Sequence, residues 1–347
     1  MADDWQRLAA ADDDAVIFND WSWNRLWWSH YSHLGQLHVL VVYRGEKIVG
    51  IGPFYRTKAT RFRLLKIDTL KFLGSGGDTS PDDLNVLANP LLRQDVTNVM
   101  CEHLLGADAP LHVHLAEVPV ATAFFATFTA KAQEAKGYSI KPLVKTRHSA
   151  DLPAKWEQYR EQISRNTHKQ IKRRRNRLQK AGNSRFRVCE SLDDLDRVSQ
   201  ALVELHKARW FSKNEVGSFQ SSEYVSFHQT LMRSLFERDQ LLLLSLELDG
   251  KIIAVEYAFF YKKSVLFFQT GFDPEYEHLS PGHLLLTFGI EKAIEMGAKQ
   301  IDLLMGDYAY KSSYANQIKL TADIGFYRAG VYSLLARAKD VVKRHTH

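Results

Sequence analysis

The order of helix-like and strand-like patterns between Leu192 and Met305 constrains this chain more than any other feature. Leu192–Trp210 carries Leu195, Val198, Leu202 and Leu205 at helical spacing, and Glu223–Arg238 reads as a second helix. Leu241–Leu248 is an apolar strand, Asp249-Gly250 a two-residue hairpin turn and Lys251–Tyr261 the return strand. Lys262-Lys263 turns the chain again into a strand over Val265–Phe272. A helix over 282–297, closed by Gly297, then precedes a strand at Gln300–Met305. Two helices, three antiparallel strands, a helix and a further strand make one mixed α/β unit.

The first half repeats this pattern less cleanly. Leu37–Tyr43 and Lys47–Tyr55 form a hairpin about Arg44-Gly45-Glu46, Leu70–Leu73 and Leu111–Leu115 are strands, and residues 120–136 are helical. Trp21, Trp28 and Tyr31 share helical spacing and are expected to pack on the sheet. Gly74-Ser-Gly-Gly-Asp-Thr-Ser-Pro81 is expected to be a flexible loop, free to line a site. Between the halves, Trp156–Lys180 reads as one long helix. The expected division is therefore a first lobe over 1–150, a basic linker helix within 151–185 and a second lobe over 186–347, in keeping with 347 residues.

Composition narrows the class. With 45% hydrophobic and 12% aromatic residues the chain can bury a core, so disorder is excluded. No stretch approaches eighteen uninterrupted apolar residues, and Met1-Ala-Asp-Asp4 lacks the pattern of an export signal. The expected location is the cytoplasm, with the inner face of the membrane as a second place of action. Cys101 and Cys189 lie too far apart in sequence for a disulfide framework or metal motif, and His112 and His114 have no third ligand, so no metal is expected. The net charge of +6 is local: ten basic residues fall between Arg165 and Arg187 without one acid. Such a helix suits phosphate groups or an anionic membrane surface. Between Arg165 and Lys180 it has none of the Phe, Tyr or Trp rings that single-stranded nucleic acid requires, so nucleic acid is not the expected partner.

One stretch carries the chemistry. Asp273-Pro-Glu-Tyr-Glu-His-Leu-Ser-Pro-Gly-His-Leu-Leu-Leu286 leaves a strand, turns and opens a helix at Pro281-Gly282. Free N–H groups at a helix start bind anions such as a pyrophosphate. This stretch, with His206-Lys-Ala-Arg-Trp210, Gly271–Tyr276, Asp302–Asp307 and Tyr310-Lys311, resembles the CelD-like acetyltransferases of the GNAT superfamily, which are similar in architecture to the Fem-type transferases. The resemblance is strong over about 160–315 and weaker across the first lobe. It implies two tandem GNAT-like lobes. It implies acyl transfer from acetyl-CoA or another acyl-CoA to an amino group of a cell-envelope or exopolysaccharide sugar precursor, small or lipid-linked. A Fem-like transfer from aminoacyl-tRNA and an inactive binding module are the alternatives. The usual glycine-rich acyl-CoA loop is reduced here to His278-Leu-Ser-Pro-Gly-His283, with one glycine.

The residues expected to act follow. Asp307, at a strand tip, ranks first as the base, Glu256, on an apolar strand face, second, and His206, near the inner stripe of its helix, third. Tyr310 could protonate. The main chain of Gly271 or Phe272 would meet the acyl carbonyl, and Ser280, Pro281, Gly282, His283 and Leu284 the carrier phosphates. Arg209, Trp210, Gln269, Tyr276 and Lys311 are assigned to the acceptor.

Overall fold

A computed structural model describes residues 1–61, 65–306 and 310–345. The chain divides into two units, Met1–Lys145 with Leu320–His347, and Thr146–Lys319. In chain order the first unit contains α1 (Ala2–Ala11), α2 (Trp21–Tyr31), β1 (Gln36–Arg44), β2 (Lys47–Arg61), β3 (Leu65–Phe72), β4 (Leu87–Ala88), α3 (Arg93–Leu105), β5 (His112–Pro119), α4 (Ala123–Glu134) and the start of β6 (Gly137–Asp151). The second contains α5 (Trp156–Gln162), α6 (Arg165–Ala181), β7 (Ser184–Val188), α7 (Leu192–Phe211), α8 (Ser222–Phe236), β8 (Leu241–Leu248), β9 (Lys251–Tyr261), β10 (Ser264–Phe272), α9 (Pro281–Glu295) and β11 (Gln300–Asp302). From Leu320 onward β12 (Gln317–Arg328) and α10 (Val331–His345) belong to the first unit again.

This division corrects the expected one. The second lobe does not run to the end of the chain, because β12 pairs antiparallel with β5, matching Ala322 to Val118 and Phe326 to Val113. The basic segment is part of the second unit rather than a linker. It is also two helices and not one: Ser164 accepts a hydrogen bond from the Thr167 N–H at 3.0 Å and so caps a new helix at Arg165.

In the first unit the strands run β1-β2-β3-β5-β12, antiparallel except for the parallel β3–β5 pair. The aromatic stripe of α2 is Trp23, Trp27 and Tyr31, not the predicted Trp21, Trp28 and Tyr31. Two of these rings, with Tyr55 of β2, pin the loop at Gly74. Trp23 Nε1 donates to Gly74 O at 3.2 Å, Trp27 Nε1 to Thr79 Oγ1 at 2.8 Å and Tyr55 Oη to Ser75 O at 2.9 Å. The expected flexible loop is thus held by indole and phenol donors.

In the second unit, residues Ser149–Asp151 of β6 lead the order β11-β10-β9-β8-β7. β10 and β11 are parallel and the other pairs antiparallel. α7 and α9 cover opposite faces. A Cβ on Gly271 would stand 2.7 Å from the His206 backbone nitrogen of α7, whereas neighbouring Thr270 and Phe272 face Gly282 of α9. The core on the α9 side includes Leu244, Ala254, Ala258, Phe267, Leu285 and Ile290. Both units are mixed sheets flanked by helices, the fold class read from the sequence. Among the described residues no helix is long and apolar enough to cross a membrane.

Candidate active site

The site begins with unequal strand lengths. β11 pairs with β10 only from Ser264 to Leu266. Beyond Leu266, β10 continues to Phe272 paired, among the described residues, with β9 on one edge only. The Asp273 N–H reaches Ile253 O of β9 at 2.9 Å. By strand alternation the Gly271 amide also points at β9, and the Thr270 and Phe272 amides point to the opposite, open edge. Among the described residues, the Phe272 N–H therefore faces that edge. The Gly271 N–H does not; the missing side chain of that residue serves the close approach of α7.

A cavity of about 400 Å³ opens beside this edge. Its walls include Phe267, Gln269, Thr270 and Phe272 from β10, Glu256 from β9, Arg209 and Trp210 from α7 with Lys213 in the turn after it, Ser280–His283 at the start of α9, and Leu303, Met305, Tyr310 and Lys311. The start of α9 is open. Ser280, at φ 59°, forms no side-chain cap, Pro281 has no N–H, and the first turn holds no acid. Leu284 is corrected here: it is buried in the core and its N–H bonds Ser280 O at 3.2 Å. That leaves the Gly282 and His283 amides of the first turn for an anion.

Glu256 is 3% exposed. It lies opposite Thr270 across a bulge at Phe268, and Thr270 Oγ1 donates to its Oε2 at 2.6 Å. Burial pushes its carboxyl up to about 8, opposed by the Thr270 hydrogen bond and by the charges of Arg209 and Lys311. A carboxyl poised near neutrality in a cavity is suited to proton transfer. Asp307, ranked first as base, lies outside the described residues.

The other candidates sort by what they already hold. His206 Nε2 accepts from Trp210 Nε1 at 2.9 Å and lies 3.0 Å from the Gln269 side-chain amide. Burial, then the Arg209 charge, pulls its imidazole down to about 4, so it is neutral and a poor base at pH 7. His206 thus holds the Trp210 indole in place. Lys311 is corrected as an acceptor contact. It is 4% exposed and donates to Leu303 O, Leu304 O and Met305 O at 2.6, 3.0 and 2.7 Å. Three carbonyls match the three donors of an ammonium, so Lys311 fixes the turn after β11, where Leu304 sits at φ 54°. Tyr276 packs on the core beneath Lys251 and is not part of the cavity wall.

Arg209 and Trp210 both line the cavity: Arg209 Nη1 donates to Thr270 O at 2.9 Å and its guanidinium stacks 4.9 Å over Phe272. Tyr310 lines the cavity with its ring 5.0 Å from that of His283. Thr270 and Lys213 were not foreseen. Among the described residues no group of three or more His, Cys, Asp or Glu is placed to hold a metal ion.

Residues 165–312 match the Acetyltransferase (GNAT) domain family. This segment is a GNAT acyltransferase domain. It covers less than half of the chain and lies within the second unit. Across both units the fold is similar to that of FemX, with TM-score 0.65, 10% identity, and 93% of this chain and 95% of that chain covered. The C-terminal domain of a putative lysylphosphatidylglycerol synthetase from Agrobacterium fabrum gives TM-score 0.56 at 13% identity, over 98% of this chain and 95% of that one. L-PGS from Bacillus licheniformis gives 0.50 at 13% identity, over 87% and 88%. At these identities the likeness concerns the fold. No curated protein matches the sequence. The GNAT domain makes the protein an acyltransferase, and the splayed β10 edge, the open start of α9 and Glu256 all lie inside that domain.

Proposed function

We propose that the protein transfers an acyl group, in the first instance acetyl, from acyl-CoA to an amino group of a cell-envelope or exopolysaccharide sugar precursor. The observation that carries this reading is one cavity lined by a buried carboxyl, a strand edge with main-chain donors and an uncapped helix start. The carrier fits the chain's own residues. The Gly282 and His283 amides suit its diphosphate, and the hydrogen on Gly282 leaves ordinary space toward Thr270 and Phe272, with 3.6 and 3.7 Å from an added Cβ. When bound, the carrier would supply an activated thioester. Glu256 takes the proton that an attacking amine sheds, and the Phe272 N–H stabilises the carbonyl oxygen as it gains charge. Trp210, flanked by Arg209 and Lys213 with cation–ring distances of 5.8 Å each, offers a plate and charge to a polar ring carrying phosphate.

A second reading, aminoacyl transfer from a charged tRNA, draws on one observation, the exposed cations of α6. Thiol release from acetyl-CoA, measured over a panel of amino-sugar nucleotides and lipid-linked amino sugars, separates the two. The expected result is acceptor-dependent release that rises with pH and levels above about 8, where Glu256 is ionised. Absence of release and of CoA binding across the panel, with transfer from aminoacyl-tRNA in their place, would establish the second reading instead.

A further inference from the structure

The basic helix α6 lies beside the anion-binding start of α9. Arg177 Nη1 donates to the carbonyl of His278, three residues before Pro281. At that helix start, burial and then the charge of Arg174 pull the His283 imidazole down to about 4. Arg175 is spent on an ion pair with Glu291 of α9 at 2.7 Å, which fixes the two helices together. The inward positions Thr167, Ile171 and Leu178 are buried, and Lys169, Lys172, Arg173 and Lys180 are exposed. These four share a shallow depression of about 490 Å³ with Asn176 and Arg177. Among the described residues none of the four forms an ion pair, and no carboxylate lines the depression. Five like charges around one concavity repel one another until an anion enters. Arg177 is the shared wall: it lines this depression and holds the loop leading into α9.

We infer that α6 binds the distal phosphate of the acyl donor, the phosphomonoester on the ribose of CoA, while the α9 start takes the diphosphate. This rests on the acyl-CoA reading above. It also gives a reason for a single glycine at the α9 start: guanidinium and ammonium groups from a second helix do part of the anchoring that a glycine-built cradle would do. The absence of Phe, Tyr and Trp from α6 argues against single-stranded RNA as the occupant.

Calorimetric titration of the full chain with CoA and with dephospho-CoA, which lacks only that phosphomonoester, tests it. The expected result is about tenfold tighter binding of CoA at low salt, narrowing as salt rises. In a Lys172→Ala/Arg173→Ala variant the difference falls below about twofold while dephospho-CoA affinity holds; both side chains are exposed, so thermal unfolding should not move. Equal binding of the two ligands by the unaltered chain, or an unchanged difference in the variant, overturns the inference and leaves the donor assignment standing. Binding of neither ligand removes the donor assignment and this inference with it. Loss of tRNA affinity in the variant, with the CoA difference intact, would reassign the depression to RNA.

Discussion

Each unit buries a glutamate near the end or middle of a strand, and the two are treated differently. Glu117, in the first unit, is 5% exposed; Glu256, in the second, is 3% exposed. Glu117 forms an ion pair with Lys145, accepts from Thr321 Oγ1 at 2.8 Å, and its own N–H bonds Asp323. Lys145 in turn pairs with Asp323 at 2.9 Å. Glu256 has a hydroxyl partner, Thr270, and a cavity in front of it. A buried carboxylate beside an ammonium is a fixed structural charge. A buried carboxyl with a hydroxyl and open space beside it can gain and lose a proton at working pH. Burial alone does not mark a catalytic residue; the partner does.

The sharpest way to break this contrast is to remove both carboxyls in turn. Glu256→Gln should lower kcat about 10²- to 10⁴-fold with folding intact, and abolish the rise in rate near pH 8. Glu117→Gln should leave the pH profile where it is and instead lower stability by about 2–3 kcal/mol, since Lys145 loses one of its two carboxylates. Rates and denaturant unfolding of both variants check this. A Glu256→Gln protein with full activity would move the base elsewhere, to Asp307 first.

Stability against pH gives the same comparison without a substrate. In the unfolded chain Glu256 ionises near 4.5, and in the fold near 8. Its contribution to stability is therefore complete below pH 4.5 and is lost as pH rises to 8. The unfolding free energy of Glu256→Gln relative to the unaltered protein, from denaturant titration, should climb from pH 5 to pH 8, by about 1.4 kcal/mol per pH unit at most, and then level. The histidines act in the other direction. His206 and His283 are held neutral, so they withdraw stability as pH falls from 6.5 toward 4. A flat difference curve for Glu256→Gln would mean the carboxyl is not held neutral by burial.

Much of the second unit was legible because local signals agreed. Asp249-Gly250 sets the β8–β9 hairpin with φ 50° and 84°, and Leu195, Val198 and Leu202 mark the buried face of α7. The open helix start was legible from Pro281-Gly282. What escaped was register and long-range pairing. Counted through the Lys262-Lys263 turn, Gln269 would face Glu256; the extra residue Phe268 brings Thr270 there instead. No residue type announces that bulge. The fate of Lys311 depended on carbonyls gathered by a turn after β11, and the return of β12 to the first unit on pairing some two hundred residues away in sequence. Trp23 and Trp27 were misread because α2 is aromatic on more than one face, so spacing did not single out a stripe.

The smallest effect is the most specific, because both glutamates hold a threonine hydroxyl and only one hydroxyl should affect chemistry. The Thr270 bond favours the ionised form of Glu256, so Thr270→Val should shift the rising limb of the rate profile to higher pH and slow the reaction at pH 7 about threefold to tenfold. Above the shifted limb the rate should recover, because the carboxylate itself is untouched. Thr321→Val removes the matching hydroxyl from Glu117 and should lower stability by about 1 kcal/mol with the limb unmoved. Rate profiles of the two variants from pH 6 to 10, with unfolding curves on the same preparations, separate the outcomes. Should Thr270→Val lose stability alone while the limb stays in place, the hydroxyl would be a packing contact like Thr321, and the difference between the two buried carboxyls would rest on the cavity and on Arg209.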